Sequence, residues 1–192
     1  MRKLRKTQRL RKGRISIPNS RYFITLCTER RKQDLTKDLI ATEIISTLRQ
    51  QQVEGDFDLM CATVMPDHIH LLMRLGNRIT LSQVIGKLKT QTRDILQPDH
   101  LGWQANFYDH RLRVETTTER FARYIFLNPY RQRLIPIESN WPWWTLNRNY
   151  RPEFIASLDV NGAPPSEWLQ TGDDIEAIIE TDQIDSPSSP AS

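Results

Sequence analysis

Bulky and polar residues alternate along residues 21–28, and a period of two is typical of strands with one buried face. Two further segments, residues 57–65 and 68–75, are also predicted to be strands. Only Pro66 and Asp67 separate the second segment from the third, so we expect these two strands to pair antiparallel across a tight connection.

Apolar residues recur at intervals of three and four in two further segments, which predicts helices over about 36–53 and 80–96. Residues 103–113 are predicted to be extended, before a third helix over 117–128. The resulting order is β-α-β-β-α-β followed by a helix. This order predicts an α+β fold, a ferredoxin-like sandwich with a central antiparallel sheet.

The last of these helices has a predicted start and a predicted end. The threonines within 116–118 offer an N-cap, and Pro129 is expected to end the helix near Asn128. Beyond it, the aromatic run 141–144 is too apolar to remain in water, and we expect it to cap the core.

Charge divides the chain unevenly. Residues 2–14 contain eight Arg or Lys and no acid, whereas 152–192 carry nine acids and no base. The remaining excess of bases suits a polyanionic partner such as nucleic acid. We therefore expect a basic N-terminal arm (1–20), a folded domain (21–150) and an acidic, partly disordered C-terminal tail (151–192).

Two classes of protein are disfavoured by composition. No apolar run approaches the roughly 20 residues that span a bilayer, and the basic N-terminus lacks the apolar core of a secretory signal. The expectation is a cytoplasmic, nucleoid-associated protein without a membrane partner. Cys27 and Cys61 lie in strand-like runs without CxxC spacing, which predicts buried, reduced thiols.

Two histidines form the first candidate site. His68 and His70 are two residues apart on a predicted strand, so both imidazoles project from one face while Ile69 projects from the other. This arrangement suits two ligands of one metal ion. The alternative is a pair of histidines on a half-polar sheet face.

A tyrosine and an asparagine form the second candidate site. Tyr124 and Asn128 are four residues apart, hence on one face of the predicted helix. A phenol can act as a nucleophile, and an amide oxygen can complete the coordination of a hard cation. A core tyrosine is the alternative, since Phe121 and Ile125 share much of that face. Both pairs together favour metal-assisted phosphoryl transfer through a covalent phosphotyrosine.

The motifs resemble a known family. The stretch VMPDHIHLL at 64–72 resembles the HUH motif of single-tyrosine transposases, and RYIFLNPYR at 123–131 is similar to their tyrosine helix. The segments YFIT at 22–25, WQ at 103–104 and FYDHRLR at 107–113 resemble the branch called REP-associated tyrosine transposases.

The resemblance implies a ferredoxin-like fold of RRM-like type, dependence on Mg²⁺ or Mn²⁺, and a 5′-phosphotyrosine intermediate with a free 3′-hydroxyl. The implied activity is that of a single-stranded DNA endonuclease and strand transferase in DNA transposition. Its substrates would be single-stranded hairpins of repetitive palindromic (REP) elements. His68 and His70 carry over as metal ligands, Tyr124 as the nucleophile, and Asn128 as a further ligand where relatives often have Gln.

One residue departs from the family pattern. Tyr130 stands where the family tends to have a small or valine-like residue. It follows Pro129 and lies off the face that Tyr124 shares with Asn128, so Tyr124 is the preferred nucleophile.

Basic residues and one histidine are further candidates for DNA contacts: Lys87, Lys89, Arg93, His110, Arg111 and Arg113. Two alternative functions remain open, a non-catalytic single-stranded nucleic-acid-binding module and a hydrolytic metal-dependent nuclease. The first needs no tyrosine nucleophile, and the second leaves no protein–DNA adduct. The sequence is compatible with a monomer or a homodimer.

Overall fold

The three strands predicted within 21–28, 57–65 and 68–75 form the centre of an antiparallel sheet in the computed structural model. This model describes residues 16–114, 116–170 and 174–184. The five strands are β1 (Arg21–Cys27), β2 (Phe57–Met65), β3 (His68–Leu75), β4 (Tyr108–Arg111) and β5 (Trp144–Leu146). Their order across the sheet is β4-β1-β3-β2-β5. The first four have the arrangement of a ferredoxin-like sandwich, so the predicted fold class is confirmed.

Helices pack on both faces of the sheet. They are α1 (Asp38–Val53), α2 (Leu81–Gln91), α3 (Arg93–Leu96), α4 (Glu119–Arg131) and α5 (Ile175–Ile184). The single helix predicted over 80–96 is interrupted at Thr92. The buried Thr92 hydroxyl donates to the Leu88 carbonyl at 2.8 Å and accepts from the Trp103 indole at 2.9 Å. A threonine hydroxyl that bonds back to the preceding turn competes with regular helix geometry, and this favours the break.

The sheet separates two apolar clusters, and this separation positions the candidate site. Ile69 and Leu71 of β3 face the cluster that contains α1 and α2, whereas Leu72 faces the cluster that contains α4. Because side chains alternate along a strand, His68 and His70 lie on the α4 face. The alternation of side chains along β3 thus directs both imidazoles toward α4.

Helix α4 differs from its prediction at both ends. It continues through Pro129 to Arg131, so the expected termination near Asn128 is wrong. A proline within a helix removes its own N–H bond and crowds the carbonyl four residues earlier. The turn after Pro129 is tied to the following segment, because the buried Tyr130 hydroxyl donates to the Ser139 carbonyl at 2.9 Å. Thr118 is the N-cap residue but makes no side-chain cap, because its hydroxyl instead accepts from Tyr150 at 2.8 Å.

The segment after α4 packs on the body of the protein. Trp143 and Trp144 lie against opposite apolar clusters, in agreement with the expectation for this aromatic run. Phe154 and Ile178 are buried in the α4 cluster, so described parts of the acidic segment contribute to the core. The boundaries proposed for the arm and tail stay predictions, and residues 1–15 and 185–192 lie outside the described residues.

Within the described ranges, no helix has both the length and the apolar character needed to cross a membrane.

Candidate active site

The two imidazoles meet on the α4 face of the sheet. His68 and His70 are each about 5% exposed, and their Nε2 atoms are 3.1 Å apart. Their rings cross at a steep angle, with centroids 4.6 Å apart. As the strand periodicity predicted, both side chains are directed at one small volume.

The opposite nitrogen of each ring has its own partner. The Nδ1 atom of His68 lies 2.5 Å from the Asp67 carboxylate, and the Nδ1 atom of His70 lies 3.0 Å from the Thr25 hydroxyl. A carboxylate accepts only, so His68 donates through Nδ1 and its Nε2 lone pair is available. Metal-bound histidines commonly have such a partner on the second nitrogen, where it fixes ring orientation and tautomer.

Charge states around these rings favour metal binding. Burial lowers the pKa of His70 well below its ordinary value, and the nearby His68 and Arg31 lower it further. Burial raises the pKa of the Asp67 carboxyl, but its hydrogen bond to His68 and the charge of Arg31 outweigh this effect and leave the pKa lowered. At neutral pH the site therefore contains a neutral His70 and an ionised Asp67.

The residues present fit a divalent cation. Two nitrogens about 2.1 Å from one ion and 3.1 Å from each other subtend roughly a right angle, as octahedral coordination requires. Thr63, the β2 neighbour of His70, has a fully buried hydroxyl without a hydrogen-bond partner among the described residues. A water bound to a cation would satisfy such an oxygen. In the described parts of the chain no group of three or more His, Cys, Asp or Glu residues is arranged to hold one metal ion, so further ligands would be an amide oxygen or water.

Helix α4 brings the candidate nucleophile to the two imidazoles. The half-buried Tyr124 ring lies 5.4 Å from the His70 ring and 6.0 Å from the Phe23 ring, measured between centroids. The guanidinium carbon of Arg131 lies 5.9 Å from the centre of the Tyr124 ring. His68, His70 and Tyr124 thus form one cluster, although they come from a strand and from a helix about fifty residues later.

The other two polar residues of α4 have different surroundings. Asn128 is buried, and its Oδ1 atom accepts from Gln132 at 2.9 Å. Among the described residues its side chain has no hydrogen bond to either imidazole, but Oδ1 has a second lone pair. Burial raises the pKa of Tyr130, and this effect outweighs a backbone hydrogen bond with Trp141 that lowers it. Tyr130 therefore contributes to packing, and its position supports the preference for Tyr124.

Two of the residues predicted to contact DNA have other partners. Lys87 bonds to Glu54 and Asp56, which neutralise its charge. His110 is buried, bonds to Asp182 and stacks on the Phe121 ring. Neither position suits direct contact with a DNA phosphate, because a phosphate would have to displace an acid already bound.

The remaining basic candidates differ in their exposure. Arg93 and Arg111 are exposed, and Arg113 is half-buried. Lys89 donates to the Gln104 carbonyl at 2.7 Å. Their proposed DNA contacts stay predictions.

Sequence reasoning did not identify Asp67, Thr25, Thr63 or Arg131 as part of this cluster. An acid directly before a candidate ligand histidine was a usable signal for Asp67. The two threonines become visible only once the register pairs both of them with His70.

Comparisons with known proteins identify the family of the chain. A model of the family described as "Transposase IS200 like" matches residues 16–126, more than half of the chain. A candidate REP-associated tyrosine transposase of Haemophilus influenzae is 28% identical over 157 residues, covering 74% of this chain and 88% of the relative. The REP-associated tyrosine transposase of Escherichia coli is 24% identical over 159 residues, covering 81% and 88%.

A solved structure has a similar fold. It is a REP-associated tyrosine transposase bound to a REP hairpin, with a TM-score of 0.56 and 24% identity. The match covers 69% of this chain and 79% of that chain.

Proposed function

The chain belongs to the IS200-like transposase family, and from that premise we propose that it cleaves and rejoins single-stranded DNA through Tyr124. One observation carries the assignment: the Tyr124 ring lies 5.4 Å from the ring of His70, whose Nε2 faces that of His68 at 3.1 Å. A tyrosine next to two convergent imidazoles is the arrangement that metal-assisted attack on a phosphodiester needs.

His68 and His70 would hold Mg²⁺ or Mn²⁺ through their Nε2 atoms, with the Asn128 oxygen or water completing the coordination. When bound, the cation supplies positive charge that polarises the scissile phosphate and favours the phenolate. Asp67 and Thr25 keep the two rings oriented through their Nδ1 atoms. Burial of His70 keeps that ring neutral, with a lone pair available for binding.

Tyr124 performs the covalent step. Its Oη atom loses its proton and attacks the phosphorus, forming a Tyr124–O–P bond while the P–O3′ bond breaks. The departing 3′ oxygen takes up a proton. One DNA fragment then ends in a free 3′-hydroxyl, and the other is joined to the protein through a 5′-phosphotyrosine. Attack by a 3′-hydroxyl reverses the step and restores a phosphodiester. No water is consumed, so the bond energy is retained for rejoining.

The DNA partner is proposed from relatives and from charge. Two relatives are named as REP-associated, and a protein of similar fold was solved with a REP hairpin. We extend that substrate class to this chain, as single-stranded DNA that folds into a hairpin. The basic segment 2–14 would bind its phosphates. Ser16, the first described residue, contacts the sandwich, because its hydroxyl accepts from the backbone N–H of Leu81 at 3.0 Å.

One assay separates this proposal from its alternatives. The protein is incubated with end-labelled single-stranded oligonucleotides that tile palindromic repeats of the host genome, with Mn²⁺ or with EDTA. A labelled protein–DNA band that survives denaturation is expected with Mn²⁺ and absent with EDTA. Tyr124→Phe should eliminate the band and the cleavage, whereas Tyr130→Phe is the matched control and should retain both.

The contrary outcomes identify the alternatives. Cleavage by Tyr124→Phe without an adduct would indicate a hydrolytic nuclease. Hairpin binding without cleavage under any condition would indicate a binding module. Full activity of both His68→Ala and His70→Ala would show that the two imidazoles are not part of the active site.

A further inference from the structure

We propose that Arg131 is a further catalytic residue, which binds the non-bridging oxygens of the phosphate that Tyr124 attacks. This inference rests on the proposed function of Tyr124. It adds a protein cation to a site for which the sequence indicated only metal ligands and a nucleophile.

The position of Arg131 on α4 supports this role. Seven residues are two helical turns, so Arg131 lies on the same face as Tyr124. Helical side chains lean toward the N-terminus of their helix, and a long arginine at this position reaches back across the Asn128 turn. The result is a guanidinium carbon 5.9 Å from the centre of the Tyr124 ring. The guanidinium is therefore near enough to the Tyr124 ring for a small rotation of the arginine side chain to bring it to a phosphate bonded to the Tyr124 oxygen.

Other arginines near this cluster are directed elsewhere. Arg31 lies 3.2 Å from the Asp67 carboxylate, and its positive charge faces the outer side of the histidine pair. The Arg123 guanidinium lies over the Trp168 ring at 4.6 Å. By contrast, Arg131 is half-buried and its guanidinium lies over the Tyr124 ring.

The chemistry of the guanidinium matches the reacting phosphate. A phosphoryl group in transfer carries negative charge on its non-bridging oxygens, and preorganised cationic donors stabilise that charge. Arginine presents a planar pair of N–H donors that fits two phosphate oxygens, whereas lysine presents a point charge. A purely structural role is the competing explanation, since a cation in the last turn of a helix also stabilises the helix dipole.

Kinetics can distinguish these roles. Arg131→Ala, Arg131→Lys and Arg133→Ala are compared with the wild type, on an oligonucleotide that gives the adduct with wild-type protein. Arg133 is an exposed arginine two residues further on, and it serves as the charge-matched control. Three quantities are measured: the single-turnover rate of adduct formation, the Kd for the same hairpin, and the midpoint of thermal unfolding.

We expect Arg131→Ala to slow adduct formation by about 100-fold, with little change in the Kd or the unfolding midpoint. Arg131→Lys should form the adduct at an intermediate rate, because lysine keeps the positive charge but lacks the planar pair of N–H donors. Added guanidinium at low millimolar concentration should partly restore Arg131→Ala. Arg133→Ala should match the wild type.

Other results would overturn the inference. A wild-type rate in Arg131→Ala, or a slow rate that neither lysine nor guanidinium improves, would assign Arg131 a structural role only. If wild-type protein forms no adduct with any tiled oligonucleotide, the proposed function itself fails and this inference fails with it. If the adduct forms but Arg131 has no effect on its rate, only the inference fails.

Discussion

Replacing Asp67 by asparagine would remove the charge beside His68 while leaving an oxygen in the same place. The native carboxylate lies 2.5 Å from the His68 Nδ1 atom. Its pKa is lowered, so it is ionised at neutral pH. A carboxylate on the second nitrogen fixes the tautomer and makes Nε2 a stronger ligand, and loss of such a partner typically costs 10- to 100-fold in metal affinity, about 1.4–2.7 kcal/mol.

The structure narrows this range. The Asp67 side chain is 22% exposed, so solvent screens part of its charge, and asparagine can still accept a hydrogen bond through Oδ1. We therefore expect Asp67→Asn to weaken Mn²⁺ binding by about 10-fold, the lower end of that range. Isothermal titration of Mn²⁺ into the DNA-free protein at pH 7.5 measures the change without any contribution from catalysis.

Arg31→Gln is the matched control for this experiment. Arg31 is the other charged partner of Asp67, at 3.2 Å, and its side chain is 45% exposed. An exposed pair of this kind contributes at most about 1 kcal/mol, so Arg31→Gln should change the Mn²⁺ affinity by less than about fivefold. Wild-type Mn²⁺ affinity in Asp67→Asn would refute the reasoning. Equal losses in both variants would also refute it, because they would assign the effect to general electrostatics.

Three further predictions address the arm, the buried histidine and the C-terminal helix. Deleting residues 2–14 should weaken hairpin binding and flatten its dependence on salt, by roughly 0.7–0.9 in slope for each phosphate that the arm no longer neutralises; an unchanged slope in a salt titration would exclude the arm from the interface. The pKa of His70 is lowered in the folded state, so this histidine takes up a proton more readily in the unfolded chain. The free energy of unfolding of the metal-free protein should therefore decrease as pH falls below about 6.5. Urea unfolding at pH 7.5 and 5.5 measures this loss, which should shrink in His70→Gln. Asp182→Ala should lower the free energy of unfolding by about 1–3 kcal/mol, because it leaves the buried His110 without its acid; a urea midpoint equal to the wild type would contradict this.

The parts of the fold that could be predicted are those encoded by local patterns. The bulky residues of β2 and β3 predict both strands, and the period of two puts successive side chains of β3 on opposite faces of the sheet. The same alternation places His68 and His70 together, and helical spacing places Tyr124 near Asn128. Each of these inferences needs only residues within one element.

The remaining features depend on contacts between elements. Helix 80–96 breaks at Thr92, where the hydroxyl that bonds back to Leu88 also accepts from Trp103, eleven residues later. Helix α4 passes Pro129 because Tyr130 is held by Ser139 in the following segment. No local pattern near His110 indicates that its ring nitrogen would form a hydrogen bond with Asp182, seventy-two residues later.

The central claim is that the oxygen of Tyr124 becomes covalently bonded to DNA. Wild-type protein that has reacted with hairpin DNA and Mn²⁺ is digested with nuclease and trypsin, and the nucleotide-modified peptide is sequenced by mass spectrometry. The account predicts a 5′-phosphonucleotide on Tyr124, with Tyr130 in its unmodified form. Modification of Tyr130, or cleaved DNA with no modified tyrosine in the protein, would contradict it.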